Sequence, residues 1–137
     1  MIHPSAIVAA DARLGAGVKI GPCAVIEEDV AVGEGCVIGG DPQDRKFSAA
    51  TLSHVEIGDD NVFREGVTVH RASRAGGRTR IGNGCFLMAS AHVAHDCVVG
   101  NQVVMVNYAG ISGEAVVQDG AFLSGFVGVH QFCRIGR

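Results

Sequence analysis

The 137-residue chain has no tryptophan, one tyrosine and six phenylalanines, so aromatic rings do little in whatever core it builds. It has no excess of positive charge. A formal net charge of −3 excludes a global basic field of the kind that holds nucleic acid. No apolar run approaches the roughly 20 residues that span a bilayer, so no membrane insertion is expected. The opening "MIHPSAIVAADARLG" lacks a basic stretch followed by an apolar core and does not read as a secretory signal. A soluble, cytoplasmic protein is expected. There are five cysteines but no C-x-x-C pair, which argues against a disulfide framework or a thiolate metal site. No P-loop, dinucleotide-binding glycine pattern or serine-nucleophile motif occurs.

What is present is valine, isoleucine, alanine and 20 glycines, a composition suited to strands and tight turns. These residues are periodic. Ile2, Val8, Leu14, Ile20, Ile26, Val32 and Ile38 recur every six residues. A second series runs through Ile57, Phe63, Val69, a weak Ala75, Ile81, Leu87, Val93, Val99, Met105, Ile111, Val117, Leu123, Val129 and Ile135. Glycine often follows the large aliphatic, and the fourth residue after it is usually small, as at Ala24, Cys36, Cys85, Ala91, Cys97 and Cys133.

A period of six fits neither one long helix nor one alternating strand. It fits a coil of short strands and corners, in which the aliphatic points inward, the glycine permits the corner and the small residue sits beneath the next coil. The cysteines at the small place are read as buried and inert. Three hexads make an 18-residue triangular coil. About seven such coils, stacked as parallel strands about 4.8 Å apart, form an all-β prism roughly 34 Å tall.

The two series differ in phase by one residue. Between them, "GGDPQDRKFSAATLSHVE" carries no pattern, and we read about 40–56 as a loop leaving an otherwise single domain over 1–137. A second polar stretch, "HRASRAGGRTR" at 70–80, keeps the phase and suggests a distorted coil. Its arginines, with Arg64, form a local basic cluster that would suit phosphates or an acidic protein, or a solvated face.

The stretch "AHVAHDC" at 91–97 holds two histidines three residues apart. Residues 18 apart should stack, which groups Gly77, His95, Gly113 and Gln131 in one column and His92, Gly110 and Gly128 in another. With Val93 and Val99 inward, His95 leaves from a coil edge beside a residue without a side chain. Such an arrangement suits proton abstraction by His95, orientation of its ring by Asp96, and donation from the Gly113 N–H to a developing oxyanion.

In order and with similar gaps, the segments "PQDRK", "VEIGDDNVFREGVTVHRAS", "IGNGCFLMASAHVAHDCVVGN" and "VGVHQFC" resemble the UDP-N-acetylglucosamine O-acyltransferase family, within the hexapeptide-repeat acyltransferases. The resemblance implies a left-handed parallel β-helix. Handedness rests on it alone, since parallel crossovers are otherwise right-handed. It implies transfer of a 3-hydroxyacyl chain from acyl carrier protein to the 3-hydroxyl of UDP-N-acetylglucosamine, the first step of lipid A biosynthesis, with no cofactor and no metal.

By motif, His95 matches the general base, Asp96 its partner and Gly113 the oxyanion donor. Asp44 and Lys46 match sugar-nucleotide contacts. His70, His92, His130 and Gln131 match further substrate contacts. The family site lies between subunits of a homotrimer.

Three departures stand out. Glu114 replaces the histidine that normally follows the oxyanion glycine. The first block is about one coil short, and the chain stops inside a hexad at "CRIGR", without the family's helical C-terminal domain. These residues alone are therefore expected to turn over weakly or not at all. Alternatives on the same fold are acylation of another sugar nucleotide, a γ-class carbonic-anhydrase-like zinc enzyme and an inactive relative.

Overall fold

The computed structural model describes residues 1–137 and contains only strands and turns. Its 19 strands form three parallel sheets, the faces of a prism. The first face is β1 (Ile7–Val8), β4 (Val25–Ile26), β7 (His54–Ile57), β10 (Arg78–Ile81), β13 (Val98–Val99), β16 (Val116–Val117) and β19 (Arg134–Ile135). The second is β2 (Arg13–Leu14), β5 (Ala31–Val32), β8 (Val62–Phe63), β11 (Phe86–Leu87), β14 (Val104–Met105) and β17 (Phe122–Leu123). The third is β3 (Lys19–Ile20), β6 (Val37–Gly40), β9 (Thr68–His70), β12 (His92–Val93), β15 (Gly110–Ile111) and β18 (Gly128–Val129). No helix is long and apolar enough to cross a membrane.

The six-residue series builds the core. Ile26, Ile38, Phe63, Leu87, Val93, Met105 and Ile111 are fully buried, stacked with the small residues Ala24, Cys36, Cys85, Ala91 and Cys97. Burial of each large aliphatic contributes about 1.5–3 kcal/mol, and this repeated term offsets the cost of ordering so many turns. Cys133, read as buried, is exposed, in the last of the coils described.

The corner is not where the glycines suggested. The left-handed conformation falls three residues after the inward aliphatic, at Gly84 (φ 65°), Asp96 (φ 61°) and Glu114 (φ 63°) among others. The glycine directly after the aliphatic serves close stacking. A Cβ on Gly33 would lie 2.8 Å from the Arg64 carbonyl carbon and the Glu65 nitrogen of the next coil. A side chain there would hold two coils apart.

Register reveals two insertions. Strand partners are normally 18 residues apart, as in Ile7 with Val25 and Val98 with Val116. Across the first loop the separation is 31, as in Val25 with Glu56 and Val37 with Thr68, so 13 residues leave the prism between β6 and β7. One coil later it is 24, as in Glu56 with Arg80 and Thr68 with His92, so six residues leave between β9 and β10. Ala75, taken as a weak inward position, is exposed in this second excursion. Both insertions leave from the corner that follows the third sheet, where His95 also lies.

Candidate active site

His95 and Asp96 form the corner between β12 and β13, two and three residues beyond the inward Val93. The left-handed backbone at Asp96, a conformation aspartate tolerates, turns the chain so that the imidazole lies along the prism edge. His95 Nδ1 donates to Asp96 Oδ2 at 2.7 Å. An ionised carboxylate only accepts, so Nδ1 carries the proton and Nε2 keeps its lone pair. No hydrogen bond within the chain takes that Nε2.

Asp96 is itself held. Its Oδ2 accepts from the Ser73 hydroxyl at 2.7 Å and the Ser73 N–H at 3.0 Å, and its own N–H donates to the buried Thr79 hydroxyl at 2.9 Å. Burial pushes the Asp96 carboxyl up, but the hydrogen bonds from Ser73 and His95 outweigh it and leave the group below its ordinary value.

The predicted column brings Gly113 against His95. A Cβ at Gly113 would lie 2.5 Å from His95 Cε1 and 2.7 Å from Nε2, so only glycine lets the ring lie there. The Gly113 N–H donates to nothing in the chain, although its neighbours Ser112 and Glu114 donate to Val129 O and His95 O. Gly77, the fourth member of that column, faces the Asp96 carboxylate, with its Cβ position 3.4 Å from Oδ1.

The second column also forms, with His92 paired to Gly110 and Gly110 to Gly128. Beside the side-chain-free Gly110 and Gly113, a groove of about 450 Å³ opens along the third face, lined also by His70, His92, His95, His130 and Gln131 among others. His92 Nδ1 is 2.7 Å from Thr68 Oγ1, and its ring meets that of His70 edge to face at 4.8 Å. His70 is 8% exposed and its Nδ1 has no partner. Burial, then the nearby His92 and His95, push its pKa down to about 4, and burial and His95 lower that of His92. Both are neutral near pH 7, able to donate or accept without adding charge. His130 is exposed, its Nδ1 3.2 Å from the Gln131 carbonyl. Cys97, beside Asp96, is raised to about 11 by burial and is no nucleophile.

Asp44 and Lys46, from the first insertion, line an adjoining depression of about 450 Å³ with Gln43, Arg45, His95 and Gln131. The Lys46 N–H donates to Asp44 Oδ1 at 2.9 Å in a tight turn. The loop that carries them is pinned by Arg71, which is 3% exposed. Arg71 reaches Asp41 Oδ1 at 2.8 Å, donates to the carbonyls of Ala49 and Thr51, and lies over the Phe47 ring at 5.0 Å.

Every sequence-selected residue thus borders one of two contiguous depressions, or, for Asp96, holds a residue that does. Gln43, which lines both, was not singled out, although it stands inside the "PQDRK" segment. Ser73 was not found either, and no local pattern marks it.

The basic cluster dissolves. Arg71 is buried under the loop, Arg78 and Arg80 both pair with Glu56, Arg64 pairs with Glu65, and Arg74 reaches Glu114 at 2.6 Å. Glu114 is therefore committed to Arg74. Within the chain, no three His, Cys, Asp or Glu side chains are placed to hold a metal ion.

A family model described as bacterial transferase hexapeptide (six repeats) matches residues 78–113. The chain is 53% identical over 100 residues to an acyl-[acyl-carrier-protein]–UDP-N-acetylglucosamine O-acyltransferase of Alkalilimnicola ehrlichii, covering 72% of this chain and 38% of that protein. It is 40% identical to the enzyme of the same name from Xylella fastidiosa, over 100% of this chain and 61% of the relative. The solved UDP-N-acetylglucosamine acyltransferase of Arabidopsis superimposes with a TM-score of 0.76 at 27% identity, over 98% of this chain and 62% of that one. The chain thus spans no more than about three fifths of the length of these relatives. The left-handed parallel β-helix of hexapeptide repeats is thus similar along its whole length to about three fifths of the UDP-N-acetylglucosamine O-acyltransferases.

Proposed function

We propose that the chain carries the acyl-transfer site of an acyl-[acyl-carrier-protein]–UDP-N-acetylglucosamine O-acyltransferase, a cytoplasmic enzyme that opens lipid A biosynthesis. The observation that carries the proposal is the pairing of a free His95 Nε2 with an undonated Gly113 N–H against the same ring. In the reaction, His95 Nε2 takes the proton from the sugar 3-hydroxyl as its oxygen attacks the thioester carbonyl of the 3-hydroxyacyl carrier protein. The Gly113 N–H donates to the resulting oxyanion. The intermediate then collapses, the C–S bond breaks, and the carrier thiolate recovers the proton from His95. Asp96 keeps Nδ1 protonated throughout and stabilises the imidazolium.

His70 and His92 offer neutral partners along the groove, as do His130 and Gln131 at its edge. Asp44 and Lys46 contact the sugar nucleotide from the loop. The site opens at a prism edge with one wall, which supports a homotrimer in which a neighbour supplies the other. The test is the product of transfer from 3-hydroxyacyl carrier protein, with UDP-N-acetylglucosamine and its 3-amino analogue offered in parallel. An ester on the 3-oxygen supports the proposal. Preferential acylation of the amine would assign a related acceptor, a reading that Glu114, paired with Arg74, leaves open.

A further inference from the structure

Six residues leave the prism between β9 and β10, and they deliver Ser73 to Asp96. We propose that Ser73 is a positioning residue: through the Asp96 carboxylate it locks His95 in the tautomer that leaves Nε2 free. The inference rests on the reading of His95 as the base.

The geometry is specific. Asp96 Oδ2 takes three donors, the Ser73 hydroxyl at 2.7 Å, the Ser73 N–H at 3.0 Å and His95 Nδ1 at 2.7 Å. Its Oδ1 has only the distant Nε of Arg74, at 3.9 Å. The carboxylate is therefore fixed by Ser73 at the oxygen that meets the imidazole, and rotation about its Cβ–Cγ bond would break three hydrogen bonds together. The Asp96 backbone is tied separately, by its N–H to Thr79 Oγ1. Loss of the serine hydroxyl thus removes one of the two shortest bonds to Oδ2 and loosens the carboxylate, while the Ser73 N–H and the corner stay in place. No side chain of the chain other than Asp96 hydrogen-bonds the ring. Gly113 contributes only backbone, and the hydrogen bond of His92 goes to Thr68. Arg74, from the same insertion, pairs with Glu114 at 2.6 Å.

The test is the imidazole 15N spectrum of His95 in the wild type, Ser73→Ala and Ser73→Thr, recorded without substrate, together with kcat and KM for transfer by each chain extended with the C-terminal region of a relative. We expect one Nδ1-protonated tautomer in the wild type, a mixture in Ser73→Ala and a single tautomer again in Ser73→Thr. The kcat should fall roughly ten- to a hundredfold in Ser73→Ala, with KM for the sugar nucleotide little changed. Thermal unfolding checks the fold. Should Ser73→Ala fail to fold, Ser73→Cys, a weak donor of similar size, is expected to show the same mixture. An unchanged single tautomer in a folded Ser73→Ala or Ser73→Cys protein overturns the inference and leaves the acyl-transfer reading standing. A mixed tautomer with no transfer by the wild type does the reverse.

Discussion

At the scale of the residue, the contact between His95 and Gly113 gives the sharpest expectation. A methyl group at 113 would stand inside the van der Waals radius of the imidazole, so Gly113→Ala must turn the ring or move the backbone. Transfer should drop by about a hundredfold or more. Turnover near the wild-type rate would show that the ring contact is incidental. His70 gives a second expectation, in pH. Its folded pKa, about 4, lies below the ordinary histidine value of 6.5. The unfolded chain therefore binds a proton that the folded one does not, and stability falls as pH drops from 6.5 to 4. The full effect of one such group is at most roughly 3 kcal/mol. Urea unfolding of the wild type and His70→Gln across that window measures it, and the two should converge at low pH. Parallel curves would contradict it.

At the scale of the element, the two insertions show what the sequence exposes and what it hides. Thirteen extra residues are not a multiple of six, so the first loop shifts the phase and is visible as a break. Six extra residues leave the phase intact, so Ala75 passes for a poor hexad, and Ser73 and Arg74 go unnoticed. The arginines between 64 and 80 misled for a related reason. Spacing along the chain says nothing about which carboxylates come round on the next coil. The stacked columns were legible because 18-residue register holds from β10 onward. The corner glycines were misplaced because glycine answers two needs, a positive φ and a close approach, and composition does not tell them apart.

Arg71 ties the first loop to the prism. Arg71→Ala should cost about 1–3 kcal/mol by leaving the Ala49 and Thr51 carbonyls without a donor, and should speed proteolytic cleavage within 41–53. Unchanged cleavage would mean that the loop holds itself. The buried Asn61 is a comparable tie. Its amide donates to Gly58 O and Gly82 O, and its oxygen accepts from the Cys85 N–H. Asn61→Leu should destabilise by several kcal/mol, read as a fall in denaturant midpoint, since the half-buried Gly58 and Gly82 carbonyls and the buried Cys85 N–H lose their partners. A shift within 0.5 kcal/mol, on the order of an exposed substitution, would contradict that.

At the scale of the whole molecule, the prism carries His70, His92, His95 and His130 along one face and edge, and its exposed aromatics in later coils, with Tyr108 stacked on Phe126 at 5.1 Å and Phe126 80% exposed. Such surface is costly in a lone subunit, which agrees with the proposed trimer. Sedimentation equilibrium should give three times the chain mass, and a stable monomer that still transfers acyl groups would remove the shared-site view. The most direct measurement is single-turnover transfer from 3-hydroxyacyl carrier protein to UDP-N-acetylglucosamine by wild type and His95→Ala, each as the 137-residue chain and extended with the C-terminal region of a relative. The expected result is transfer by the extended wild type and a loss of about 10²–10⁴-fold in His95→Ala. Equal rates with and without the imidazole would contradict His95 as the base.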